Sequence, residues 1–94
     1  MTFVVVQHDV ADFDAWRPVF DEHGAARQAH GCMSERVYRD ADNPNSIIIV
    51  MEWPSKEAAE GFMADRSLAE AMARGGVLGP PTVTIGERTP VPAH

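Results

Sequence analysis

Hydrophobic positions along the chain fall into two kinds of run. Phe3 to His8 and Ser46 to Trp53 are dense in Val and Ile, and that composition predicts strands. Met33 to Arg39 predicts another strand, joined to Ser46–Trp53 as a hairpin through the turn cluster "DADNPN". Thr82 to Arg88 alternates Val83 and Ile85 with polar residues and predicts the last strand. Between these runs the period lengthens. Trp16, Val19 and Phe20 recur at helical spacing, with Asp12 or Asp14 as N-cap and Gly31 as the left-handed stop. With Asp14 as cap, Pro18 removes only the first backbone bond of that helix. "PSKEAAEGFMADRSLAEAMARGG" predicts a helix broken near Asp65. Ser67 and Glu70 have the Ser-x-x-Glu spacing of a capping box opening its second piece, and Gly75 and Gly76 end it. "LGPP" predicts an irregular loop.

The order βαββαβ is that of a ferredoxin-like α+β fold: a four-stranded antiparallel sheet with helices on one face. Residues 1–94 are expected to form one domain, with 89–94 as an extended tail. One feature of the strands departs from that layout. A sheet covered on one face alternates apolar and polar residues, whereas "FVVV" and "IIIVM" are apolar at consecutive positions. Two helices in so short a chain cannot cover both faces. A second copy is the economical cover, and a homodimer with sheets packed face to face follows.

Composition narrows the partners. A formal net charge of −6, with eight scattered Lys and Arg, argues against nucleic acid. The apolar runs are too short to span a bilayer, and the chain does not open like a signal peptide, so neither a membrane nor a secretory route is expected. A single cysteine, Cys32, fits a reducing cytoplasm and reads as a small buried hydrophobe.

The candidate chemistry lies in histidines. His8 ends the first strand in phase with Val4 and Val6, either as a general base or as a histidine hydrogen-bonded at a sheet edge. On the first helix the stripe of Trp16 and Phe20 continues into His23, Arg27 and His30. His23 and Arg27 form either a solvated, dipole-favoured last turn or an anion- or carbonyl-binding pair. His30 reads as the solvated end. No metal is expected: seven residues of helix separate His23 and His30 by roughly 10 Å, and no HxH, HExxH or cysteine pair occurs. Trp53, in phase with Ile47, Ile49 and Met51, could wall a cavity for a flat ligand with Tyr38, Phe62, Met63 or Met72. The same residues could equally be plain core.

"VVVQHDVADFDAWRPVFDEH", "YRDADNPNSIIIVMEWPSKEAAEGFM" and "LAEAMARGGVLGPP" together resemble the small dimeric α/β-barrel proteins grouped with the antibiotic biosynthesis monooxygenases and small polyketide cyclases. The resemblance covers nearly the whole chain and implies a cavity between the sheet and its helices in each protomer. In the cofactor-free quinone-forming members, a Trp ending the third strand and an Asn four residues earlier hold a phenolic substrate. Trp53 matches the first; the second falls at Ile49, which cannot hydrogen-bond. In the barrel-type cyclases a His–Tyr pair does acid–base work, a role that His8 and Tyr38 could fill. The function expected is a cofactor-independent acid–base enzyme, of monooxygenase or cyclase/isomerase type, acting on an aromatic or polyketide-like molecule. His8, Tyr38 and His23 would be catalytic, and Arg27, Trp16, Trp53, Phe62 and Met72 would bind substrate. The alternatives are a non-catalytic ligand-binding or structural dimer and, as in some relatives of the fold, a haem protein.

Overall fold

Val4, Val6 and Val10 alternate with Val5, Gln7 and Asp9 along the first strand, and the fold is built outward from that alternation. In the computed structural model, which describes residues 1–92, β1 spans Thr2–Val10. Helices α1 (Phe13–Glu22) and α2 (Gly24–Ala29) follow, then strands β2 (Ser34–Arg39) and β3 (Ser46–Trp53). Helices α3 (Lys56–Met63) and α4 (Arg66–Arg74) lead into the last strand, β4 (Val77–Glu87). The strands form one antiparallel sheet in the order β2-β3-β1-β4, the ferredoxin-like α+β arrangement. Part of the expected tail, residues 93–94, lies outside the described residues.

The inner face carries the core. Val4, Val6 and Val10 of β1 and Ile47, Ile49, Met51 and Trp53 of β3 are buried beneath Trp16, Ala59 and Phe62 from the helices. On the opposite face Val5 pairs with Val50, and Ile48 lies beside Tyr38. Val5 and Tyr38 are 38% and 49% exposed there. The consecutive apolar residues therefore do divide between two faces, and this chain's helices cover only one.

Several local expectations are sharpened or corrected. Of the two candidate caps, Asp12 is the one that caps α1, accepting the Asp14 N–H at 3.2 Å. Pro18 then falls inside the helix and leaves the Asp14 carbonyl without its usual donor. The first helix is not continuous to His30. At His23 the backbone turns to ψ 0, and the His23 carbonyl accepts the N–H groups of both Ala26 and Arg27, opening α2 at Gly24. Asp65, not Ser67, caps α4: its Oδ1 accepts the Ser67 N–H at 2.7 Å, while the Ser67 hydroxyl is engaged elsewhere.

"LGPP" belongs to β4 rather than to a loop. Gln7 pairs with Thr82 and Asp9 with Leu78, so His8 alone faces Gly79, Pro80 and Pro81. That bulge suits its residues: Gly79 takes φ +71, and the prolines need no ladder partner for the N–H they lack. At the end of α4, Gly76 takes φ +76 and turns the chain into β4.

Candidate active site

A cavity of about 50 Å³, measured as the space open to the centres of water molecules, lies between the inner sheet face and the helices. Val6, Ile49 and Met51 form its floor, and Phe62, Met63 and Met72 part of its roof. Its polar groups are His8, His23 and Arg27.

These three are joined by a row of rings that the stripe on α1 sets up. The His8 imidazole meets the Trp16 indole edge-on with centroids 5.6 Å apart, and Trp16 lies 5.0 Å from Phe20. The Arg27 guanidinium in turn lies over the Phe20 ring, its Cζ 3.8 Å from the centroid. His8 and Arg27 thus occupy opposite ends of one aromatic row, with the cavity alongside.

His8 is 6% exposed, and its Nδ1 has no hydrogen-bond partner among the described residues. It is therefore not a histidine tied down at a sheet edge. Loss of water pushes its pKa below 6.5, opposed only in part by its own polar backbone and the charge of Asp9. The ring is consequently neutral at pH 7, with a nitrogen free to take a proton. A separate open, polar groove at the β4 bulge is bordered by Gln7, His8, Asp9 and Thr82.

Arg27 is 4% exposed, so the stripe runs into a pocket rather than into water. Its Nη2 donates to the Phe20 carbonyl at 3.0 Å. Its Nε has no hydrogen bond and lies 3.5 Å from a Glu35 carboxylate oxygen. His23 shares a hydrogen bond with Ser67 across to α4, Nε2 to Oγ at 2.9 Å. Burial first, and then the charges of Arg27 and Arg74, hold its pKa down. His30 is not the free end of a helix: its Nε2–H donates to Asp65 Oδ2 at 2.7 Å. The same carboxylate caps α4, and these bonds hold the Asp65 pKa at about 2. His23 and His30 thus fasten the two ends of α2 to the α3–α4 corner, on either side of Phe62.

Of the residues singled out in the sequence, His8, His23, Arg27, Trp16, Phe62 and Met72 share the cavity. Tyr38 does not. It pairs with Ile48 on the outer face, while His8 pairs with Ile47 on the inner one, so the expected His8–Tyr38 couple is not formed within the chain. Trp53 is fully buried and stacks on Phe62 with centroids 5.1 Å apart, behind the cavity wall. Cys32 is partly buried, and burial together with its contact to Glu35 pushes the thiol up to about 12, which makes it unreactive. Ser67, Asp65 and Glu35 had no signal of their own. Each acts on a residue in another element, and a cap or strand position already accounted for it. Among the described residues, no group of three His, Cys, Asp or Glu side chains is arranged to hold a metal ion, and no helix is long and apolar enough to cross a membrane.

The fold is thus a ferredoxin-like α+β sheet whose helices close a mostly apolar cavity over the His8 imidazole. Residues 3–74 match the model of the antibiotic biosynthesis monooxygenase family, and the chain belongs to that family. No curated protein matches it in sequence. Among solved structures, an antibiotic biosynthesis monooxygenase shares 20% identity at a TM-score of 0.73, over 96% of this chain and 100% of the other. A protein described as an antibiotic biosynthesis monooxygenase from Bordetella bronchiseptica shares 14% at 0.77, over 94% and 96%. A mutant of SnoaB, a cofactor-independent oxygenase from Streptomyces nogalater, shares 18% at 0.75, over 98% and 97%. At these identities the structural likeness speaks for the fold.

Proposed function

We propose that the protein is a cofactor-independent oxygenase of an aromatic or polyketide-like molecule, with His8 as its general base. The observation that carries this reading is the buried His8 imidazole, whose Nδ1 has no hydrogen-bond partner, lining a mostly apolar cavity that it shares with His23 and Arg27. Family membership and the likeness to a cofactor-independent oxygenase support it. A ring CH₂ made acidic by flanking carbonyl or phenol groups loses its proton to His8. The conjugate base spreads its charge through the fused system toward oxygens at the His23 and Arg27 end. Trp16 and Phe62 hold the rings flat. The carbanion reduces O₂ and couples with it as a hydroperoxide, and loss of water leaves a carbonyl. One oxygen atom ends in the product and the other in water, and the substrate supplies all the electrons. Without O₂ the same proton transfer leads to cyclisation or isomerisation.

The protein works as a homodimer, sheet against sheet, in a reducing compartment such as the cytoplasm; the exposed apolar strip through Val5, Val50 and Tyr38 supports the dimer. One observation favours a non-catalytic ligand-binding module instead. The cavity is small, and a fused-ring substrate needs Met63 and Met72 to swing aside. Both side chains are unbranched and adapt readily.

Oxygen uptake with a hydroxylated anthrone tests the reading. Uptake should be matched by quinone formation, stop under nitrogen, and fall about 10²–10⁴-fold in His8→Ala at unchanged melting temperature. Full activity in that variant removes His8 from the mechanism. Binding without turnover, with or without O₂, leaves the binding module.

A further inference from the structure

Arg27 presents an unbalanced account of charge. Burying a guanidinium costs several kcal/mol unless hydrogen bonds and a counter-charge compensate. Here the group is almost wholly buried, yet it donates one hydrogen bond, to the Phe20 carbonyl. Its Nε is orphaned. Glu35, the acid beside it, is one-third exposed at its side chain and stands at 3.5 Å without forming a hydrogen bond, so water screens much of its effect. The other neighbours are the Phe20 ring and the apolar cavity. Among the described residues the ion pair with Glu35 is the one counter-charge in contact with the guanidinium, and it leaves Nε without a hydrogen bond. The Phe20 carbonyl would accept from any donor, and the ring would pack against any apolar side chain.

We propose that the Arg27 end of the cavity is an anion subsite, and that the ligand is a planar molecule carrying negative charge on oxygen, as a carboxylate or as an ionised phenol or enol. The inference rests on reading the cavity as a ligand site. A planar fork of N–H donors matches such groups better than a point charge does. The rings of Trp16 and Phe20 separate Arg27 from His8, so the anchored oxygen lies at the far end of the ligand from the carbon or hydroxyl that His8 addresses. His23 beside it is held neutral and adds no competing charge of either sign. The subsite then selects flat acids over neutral aromatics of equal size.

Quenching of Trp16 fluorescence by 2-naphthoate, set against naphthalene-2-carboxamide, reads this without turnover. The carboxylate should bind about tenfold or more tightly, in line with a partly desolvated charge pair. A second arm uses 4-nitrophenol against 4-nitroanisole, because the yellow of the phenolate reports ionisation on binding. Preference in the first arm alone identifies a carboxylate ligand, and in the second alone a phenol or enol. Arg27→Gln should abolish the preference while leaving the neutral compounds unaffected. Should that variant fold poorly, Glu35→Gln keeps Arg27 in place and should tighten the anions severalfold. Equal binding of anion and neutral isostere, or a preference indifferent to both substitutions, overturns the proposal. Absence of binding by every compound overturns it together with the reading of the cavity. Arg27-dependent anion binding without turnover of any substrate leaves the subsite standing and removes the oxygenase.

Discussion

At His8 a titratable ring is held out of water with its Nδ1 unpaired, and the sign of the resulting pKa shift fixes how the protein should respond to acid. Its folded value lies below 6.5, so more than half of the base is neutral at that pH. Turnover should keep more than half of its plateau at 6.5 and fall below half only in more acid solution, along a one-proton curve absent in His8→Ala. A rate already halved at 6.5 contradicts the shift. Stability follows the same linkage. His8 and His23 have lowered values, so the unfolded chain takes up protons first, and the stability present above 6.5 drains away as pH falls through the folded values. Asp65, lowered from 3.8 to about 2, adds a separate loss between those two values. Melting followed by circular dichroism should show both declines, the upper one shallower in His8→Gln and the lower one in Asp65→Asn. Single residues were partly legible in the sequence. The phase of His8 with Val4 and Val6 gave its face, and the stripe through Trp16 and Phe20 delivered Arg27 to the pocket. Tyr38 was not legible, because β2 is an edge strand with only Val37 half-buried on its inner face. One apolar residue sets no period, so nothing local told which side of β2 faces in.

Elements depend on close contacts that periodicity does not register. A Cβ at Gly75 would stand 2.9 Å from Trp16 Cδ1 and 3.3 Å from the Ala71 carbonyl, although the backbone there is helical and would accept alanine. Gly75 is therefore kept by packing, not by conformation. Gly75→Ala should destabilise by about 1–3 kcal/mol through overpacking. It should also shift the Trp16 emission as the indole is pushed toward the cavity; unchanged melting and fluorescence would show that α4 gives way freely. The helix and strand positions themselves followed from sequence, since burial dictates them. Their joints did not. Asp65 and Ser67 are both good caps, and the choice between them turned on His23, which recruits the Ser67 hydroxyl from another helix. Likewise "LGPP" carries every local mark of a loop, and only its neighbour β1, pairing on both sides of the bulge, draws it into the sheet.

The whole molecule is asymmetric across its sheet: helices and core on one side, and on the other an uncovered strip in which Val5, Val50, Ile48 and Tyr38 adjoin. The consecutive apolar residues of "FVVV" and "IIIVM" announced that strip, whereas its occupant lies beyond any single chain. Val5→Asp combined with Val50→Asp should shift the light-scattering mass from twice 10.3 kDa to 10.3 kDa at micromolar concentration. A wild-type mass already at the lower value removes the dimer.

The bulge at Gly79, Pro80 and Pro81 has a bearing on this as well. β4 is a free edge of the sheet, and such an edge invites a further strand, the first step toward fibrils. The pair of prolines removes N–H donors from the edge that an incoming strand would need, and the register break interrupts the regular ladder there. At the opposite rim β2 exposes Glu35, Arg36 and Arg39. The molecule thus discourages growth along its edges while its uncovered apolar strip stays open, a combination that suits the closed pair proposed above better than an endless ribbon.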